Sequence, residues 1–321
     1  MPLEHLYIEP GTTCSAECKH CPQTLAASMR PSIHIDAEQV IQRIEGMSFL
    51  QSVTLVGLGE PFEVPNILDS VYALSKRGIR VDLTTNGSTL ANLDARSLIY
   101  SGISKLTVSL DSAEPHLQHK LRPKHTIEYI LSQIQRINSG LEDLGSLNRI
   151  RVTVVRTKST LISLRNTLAV LANKGVQEVL VKNITLLQRD FAKKETLIPD
   201  SEVTVHNLNS MLRSVPAEVS SPLKIVVALN GLSPSSSSPP QCPYHPLRSA
   251  FMTAEGNLYP CYFIGLDEIL SGNHFNNDDA SLHPDFRFPG KACQSCPVFN
   301  ETYRIYNWNP AAISQKVGLS T

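Results

Sequence analysis

RVDLTTNGSTLANLDARSLIYSGISKLTVSLDS, residues 80–112, decides the fold. RVDLTT (80–85) and KLTVSL (105–110) are rich in β-branched and apolar residues, as strands are. Between them LANLDARSLIYSG (90–102) repeats apolar residues at intervals of three and four and stops at a glycine, the pattern of a capped helix. Two strands joined by a helix run parallel, because a parallel pair needs a crossover that a tight turn cannot supply. The unit recurs on both sides. LYIEP (6–10), SVTLVGL (52–58), RIRVTVV (149–155) and VQEVLVKNI (176–184) read as further strands. DAEQVIQRIEGM (36–47), VPNILDSVYALSKRG (64–78), TIEYILSQIQRINSG (126–140) and TLISLRNTLAVLANKG (160–175) read as further helices, most of them ending in glycine. Strict alternation of strands apolar on both faces with such helices predicts a parallel sheet covered by helices, either open and doubly wound or closed toward a barrel.

The pattern breaks after about residue 185. VTVHNLNSMLRSV (203–215) reads as a helix and KIVVAL (224–229) as a strand, before the low-complexity run SPSSSSPP (233–240), which can pack no core. From Cys242 onward helix signals are few, and FMTAEGNLYPC (251–261) forms a hairpin turning through Glu255, Gly256 and Asn257. The expected division is a core over 1–185, a connecting region over 186–240 and a cysteine-rich module over 241–321.

Lys plus Arg and Asp plus Glu both number 29, so the 321-residue chain has no net charge with which to draw a polyanion. No nucleic-acid partner is expected. No apolar run is long enough to cross a bilayer, and MPLEHLYIEPG lacks a basic, apolar leader, so a cytoplasmic protein without a membrane partner is expected. Seven cysteines in such a chain favour metal or catalysis over a disulfide framework. They fall into two groups: Cys14, Cys18 and Cys21, then Cys242, Cys261, Cys293 and Cys296.

The first group lies in the loop after the first strand. Three thiolates there can converge on a soft metal centre but leave one coordination position open, which separates a catalytic centre from a closed structural one. A zinc site completed by His20 is the alternative. The Cys14-Ser-Ala-Glu-Cys18-Lys-His-Cys21 spacing resembles the radical SAM superfamily, whose CxxxCxxC motif holds a [4Fe–4S] cluster with one iron left for S-adenosylmethionine (SAM). Three more segments at strand C-termini are similar to that family. Gly57-Leu58-Gly59-Glu60-Pro61 matches its GGEP-like segment, which holds the methionine amino group, and departs from it in placing Leu58 between the glycines. Thr85-Asn86-Gly87 matches its TNG, and Ser109-Leu110-Asp111 its SLD, which faces the ribose and methionine.

The resemblance implies a partial (β/α)6 TIM-like barrel with the site at the C-terminal ends of the strands. It implies SAM-binding roles for His20, Gly57, Gly59, Glu60, Asn86, Ser109 and Asp111. Arg122, in the basic run from His116 to His125, would hold the SAM carboxylate or an anionic group of the substrate. A solvated loop is the plainer account of that run. Lys182 and Asn183, at the end of the sixth strand, are candidate substrate or proton-transfer residues.

The second group could close a zinc site. Its sequence surroundings resemble the Twitch or SPASM auxiliary-cluster modules of radical SAM enzymes, which implies a second [4Fe–4S] cluster on Cys242, Cys261, Cys293 and Cys296. The family chemistry is homolysis of SAM to a 5'-deoxyadenosyl radical that abstracts a substrate hydrogen, with a flavodoxin- or ferredoxin-type protein as electron donor. A fully ligated second cluster suits electron acceptance, and the two groups use every cysteine, leaving no spare thiol as a hydrogen donor. Both points favour net oxidation over epimerisation. The expected substrate is a small molecule such as an aminocyclitol or amino sugar, with cross-linking or epimerisation of a ribosomal peptide as the alternative. A zinc-stapled binding protein is the alternative from outside enzymology.

Overall fold

The structure is a computed structural model that describes residues 3–124, 126–146, 149–184, 194, 214–215, 223–228, 248–259 and 261–271. Cys242, Cys293, Cys296, the 233–240 run and nearly all of the helix expected over 203–215 lie outside the described residues.

Among the described residues nine strands form one sheet: β1 His5–Ile8, β2 Ser52–Leu55, β3 Arg80–Thr85, β4 Lys105–Leu110, β5 Ile150–Arg156, β6 Glu178–Asn183, β7 Lys224–Ala228, β8 Ser249–Met252 and β9 Leu258–Tyr259. Their order is β7-β6-β5-β4-β3-β2-β1-β8-β9. Neighbours from β7 through β8 are parallel, and β9 returns antiparallel on β8. Seven consecutive strands laid side by side in chain order are the winding of a barrel; a doubly wound sheet reverses direction at a switch point.

The α-helices bounded within the described residues are α1 Gln23–Ala27, α2 Ala37–Arg43, α3 Ile67–Ser75, α4 Ala95–Ser101, α5 Pro115–Leu121, α6 Ile127–Asp143, α7 Leu164–Asn173 and α8 Tyr262–Ser271. Asp36 and Asp94 open α2 and α4 with capping boxes. Gly102 closes α4 in the left-handed conformation.

The register corrects the expectation that the strands are apolar on both faces. Leu6 and Ile8 on β1, Val53 and Leu55 on β2, Val81 and Leu83 on β3, and Leu106, Val108 and Leu110 on β4 share one face. They pack in a single core with Val40, Val71, Leu74, Leu98, Ile130, Ile134, Leu168 and Leu171 of α2, α3, α4, α6 and α7. The alternate residues His5, Tyr7, Thr54, Asp82, Thr84, Thr107, Ser109 and Thr153 share the other face. A partial barrel needs only its outside covered, so its inner face stays polar and free to carry chemistry.

Three local expectations change. TIEYILSQIQRINSG does not stop at Gly140, because α6 continues to Asp143. A Cβ on Gly140 would lie 3.0 Å from that of Ala95, so this glycine serves helix packing against α4. The first part of the basic run is helical: Pro115 starts α5, which ends at Leu121, before Arg122. The cysteine-rich stretch also holds α8, whose Leu266 and Leu270 pack with Phe251 and Tyr259 of the hairpin. β7 and β8 extend the core sheet at opposite sides, β7 on β6 and β8 on β1.

Candidate active site

The loop from Glu9 to Pro22 crosses the C-terminal ends of the strands and is held from three directions. Thr12 Oγ1 donates to the Pro31 carbonyl and accepts from Ile33 N–H, each at 2.8 Å. Glu60 N–H donates to the Thr13 carbonyl at 2.7 Å, and Ser15 N–H to Glu63 Oε1 at 2.6 Å. Lys19 N–H donates to the carbonyl of Leu121, the last residue of α5, at 2.9 Å. The three cysteines therefore sit on a loop anchored by the segments after β2 and β4, elements far away in sequence.

Donors from the end of β3 and from the residue after α5 reach two of the sulfurs. Asn86 Nδ2 lies 3.5 Å from Cys14 Sγ, and Arg122 Nη1 lies 3.4 Å from Cys18 Sγ. Burial pushes the Cys14 thiol up to about 12, with Glu60, Cys21 and Cys18 adding to the rise. Burial also raises Cys18, opposed by the Arg122 charge. Uncompensated thiolates are thus disfavoured in this loop, and a cationic metal core is what would hold them ionised. Among the described residues no three His, Cys, Asp or Glu side chains converge as ligands of one ion must. An iron–sulfur cluster asks for something different, since each cysteine takes its own iron. Three sulfurs on one anchored loop with N–H donors beside two of them fit such a cluster.

Glu60 follows the glycine pair. Its buried carboxylate accepts from Thr85 Oγ1 at 2.7 Å, Asn86 N–H at 2.7 Å and Phe62 N–H at 3.1 Å. Burial raises its pKa to about 7 against the pull of these donors. Glu60 therefore braces the turn that carries Asn86 toward Cys14. The space left by the two glycines is taken by the chain itself. A Cβ on Gly57 would lie 2.3 Å from Glu9 Cγ, and one on Gly59 would lie 2.0 Å from the Gly11 carbonyl oxygen. Their small size seats this segment against the cysteine loop.

Asp111 and Arg122 form the charged centre of the site. Arg122 Nε donates to Asp111 Oδ2 at 2.8 Å and Nη2 to Oδ1 at 3.4 Å, with side chains 7% and 0% exposed. Burial works against the Asp111 carboxylate, but Arg122, His20 and Lys182 together hold its pKa below the ordinary value. His20 Nδ1 stands 3.8 Å from Asp111 Oδ2. Gln118 Oε1 accepts from the N–H groups of Asp111 and Ser112 at 3.0 and 3.1 Å and shapes that turn. Burial and the Arg122 charge lower the pKa of Lys182. Ser109 lies on the polar face beside Thr153. Asn183 ends β6 with its backbone beside Arg156. Cys261 is buried before α8, in the apolar cluster against which Cys21 also packs.

The fold thus gathers Cys14, Cys18, His20, Glu60, Asn86, Asp111, Arg122 and Lys182 at one end of the sheet. The sequence reading passed over Glu9, Arg30 and Glu255. Glu9 is fully buried and accepts from Arg30 Nη1 at 3.1 Å, Arg30 Nη2 at 2.5 Å and Leu58 N–H at 2.9 Å. Its only sequence signal is a carboxylate directly after an apolar strand.

A family model described as the Radical SAM superfamily matches residues 8–180. The tungsten-containing aldehyde ferredoxin oxidoreductase cofactor-modifying protein of Pyrococcus furiosus is 25% identical over 185 residues, 57% of this chain and 52% of that protein. The chain thus spans about half the length of this curated relative. Among solved structures, Streptococcus suis SuiB bound to the precursor peptide SuiA aligns with a TM-score of 0.63 at 17% identity, over 93% of this chain and 70% of SuiB. Native anSMEcpe with bound AdoMet and the Cp18Cys peptide aligns with a TM-score of 0.58 at 14% identity, over 99% of this chain and all of that one (100%). At these identities the likeness is one of fold.

Proposed function

The chain belongs to the radical SAM superfamily, and on that premise we propose that Cys14, Cys18 and Cys21 hold the SAM-binding [4Fe–4S] cluster of a hydrogen-abstracting oxidase. The carrying observation is the anchored cysteine loop with Asn86 and Arg122 donors against two of its sulfurs. When bound, cluster and SAM supply reductive homolysis of the sulfonium and removal of a substrate hydrogen atom. The chain's own residues orient. Glu60 holds Asn86 at the cluster loop, and the backbone of Gly57, Leu58 and Gly59 offers polar groups for the methionine amino group. Asp111 keeps Arg122 charged and aimed at Cys18, while Ser109 faces the ribose side of the polar barrel lining. Lys182 and Asn183, at the end of β6, are the proposed substrate contacts.

A peptide is the substrate class we favour. SuiB and anSMEcpe, whose fold this chain shares, were both solved with bound peptides, and this supports the reading. Dehydrogenation of a small molecule such as an aminocyclitol or amino sugar is the second reading; a curated relative named for modifying a cofactor supports it. In either case Cys242, Cys261, Cys293 and Cys296 are proposed to hold a second cluster that takes up the substrate electron, and a flavodoxin- or ferredoxin-type protein to supply the first. The zinc-stapled binding protein is set aside, since the family is one of enzymes.

Anaerobic reconstitution tests the proposal. Two clusters require about eight iron and eight sulfide per chain. Exchanging Cys14, Cys18 and Cys21 for alanine is expected to halve the iron and abolish 5'-deoxyadenosine formation from SAM. Undiminished formation in that triple variant overturns the assignment. Deuterated peptides and aminocyclitols, assayed for label in 5'-deoxyadenosine, separate the two substrate readings.

A further inference from the structure

Glu9, Arg30, Arg43 and Glu255 make a charged network outside the cysteine site. Arg30 lies between two carboxylates: it donates to both oxygens of Glu9, and its Nε and Nη2 donate to Glu255 Oε1 and Oε2 at 2.8 and 2.7 Å. Arg43, from α2, donates to the carbonyls of Thr253 at 3.2 Å and Ala254 at 2.8 Å. The hairpin turn between β8 and β9 is thereby held to the core by two arginines. Burial disfavours the Arg30 charge, but the hydrogen bonds and charges of its two carboxylate partners outweigh this and raise its pKa.

At the other end of this chain of contacts lies the glycine segment. Glu9 Oε1 receives the Leu58 N–H at 2.9 Å, and Glu9 Oε2 the Ala254 N–H at 3.3 Å. The missing side chain of Gly57 leaves room for the Glu9 methylenes. Leu58 itself packs among Phe251 and Tyr259 of the hairpin. One buried carboxylate therefore sets the position of a backbone amide in the 57–60 segment and of another in the hairpin turn. Any shift of the hairpin must be transmitted to that segment, because a fully buried carboxylate cannot exchange its partners for water.

We infer that Glu9, Arg30 and Glu255 are positioning residues that couple the C-terminal hairpin to the SAM-binding segment, making SAM affinity depend on a turn almost two hundred residues downstream (Gly57 to Glu255). The inference rests on the reading of residues 57–60 as the methionine-amino site. Glu255 is the accessible end of the network, its side chain 26% exposed against 0% for Glu9, so it can be changed without opening the core.

The test uses full-length, cluster-loaded protein and SAM as the probe. Glu255→Gln is expected to weaken SAM binding about fivefold or more by anaerobic calorimetry, a modest coupling between sites. Iron content should stay at the wild-type value. Hydrogen exchange should speed up at the Leu58 amide as well as in the turn, a response that a purely local role of Glu255 would not produce. Glu9→Gln is expected to weaken binding further, and the double variant to match Glu9→Gln alone, since both act along one line. Glu255→Asp, which withdraws the carboxylate from Arg30 but keeps its charge, carries the same expectation in smaller degree. Wild-type SAM affinity in Glu255→Gln, with exchange changes confined to residues 253–257, overturns the inference. Iron-loaded wild-type protein that binds no SAM at all overturns the underlying functional reading instead.

Discussion

Asp111→Asn tests the charged centre of the site most directly. The substitution keeps the side chain's shape and removes the charge opposite a guanidinium that is 7% exposed. At about 4 Å separation and an effective dielectric of about 20, a unit pair is worth about 4 kcal/mol. Breaking one partner of a buried pair typically costs about 3–5 kcal/mol, because the remaining charge stays buried without its complement. The asparagine oxygen can still accept one bond from Arg122, so the lower end, about 3 kcal/mol, is expected. At roughly 2–4 °C per kcal/mol for a large domain, Tm should fall by about 6–12 °C. The assay is thermal unfolding of anaerobic, cluster-loaded protein at pH 7, followed by circular dichroism. The acid limb gives a second reading. A carboxylate with a depressed folded pKa contributes stability that is complete above its unfolded value of about 3.9 and is lost as pH falls through the folded one. In Asp111→Asn that part of the acid limb should flatten. Removing both charges with Asp111→Leu and Arg122→Met should recover much of the loss. A Tm drop under about 2 °C, or an unchanged acid limb, refutes the reasoning that this pair is strongly coupled.

Three further outcomes are expected. Gly59→Ala places a Cβ 2.0 Å from the Gly11 carbonyl oxygen and 3.0 Å from that of Thr13, so backbone must move; urea denaturation should show a loss of about 1–3 kcal/mol, and none if the close approach is absent. Glu60→Gln sets an amide NH2 against one of the three donors now aimed at the carboxylate; it should cost about 1–3 kcal/mol by the same assay, and a neutral result counts against the bracing role. His5 lies between Ser52 and Thr54, and burial lowers its pKa to about 4. Because the unfolded chain takes up the proton first, the stability contributed by the neutral ring is present above about 6.5 and declines as pH falls toward 4. An NMR titration midpoint for His5 near 6.5 would contradict this.

Much of the fold was legible because its signals are local. The βαβ unit over residues 80–112 carries its strand and helix periods in a few adjacent residues, and the structure returns them as β3, α4 and β4. Local signals misled where one residue type serves two purposes. Gly140 looks like a cap but sits against Ala95, and the charged 116–125 run looks like a loop but follows Pro115, a proline suited to the first turn of a helix, and is helical as far as Leu121. α8 was missed because its apolar residues find their partners on the hairpin rather than in its own sequence.

The candidate site divides along the same line. Cysteine spacing and the strand-end segments are short-range patterns, and through the family resemblance they marked Cys14, Cys18, Asn86 and Asp111 as candidates, while Arg122 was drawn from the basic run after β4. That Arg122 meets both Asp111 and Cys18, 104 residues before it, was not written in any window. The pairing of Arg30 with Glu255 spans 225 residues. A charged side chain declares its charge in the sequence but not its partner, and burial, which decides how strongly the two must pair, exists only once distant strands have been laid side by side. Sequence alone therefore determined the alternation of elements and the chemistry available at the strand ends. The tertiary structure decided which face of the sheet is polar, which charges neutralise one another, and how the hairpin after the barrel strands is tied to the segment that follows β2.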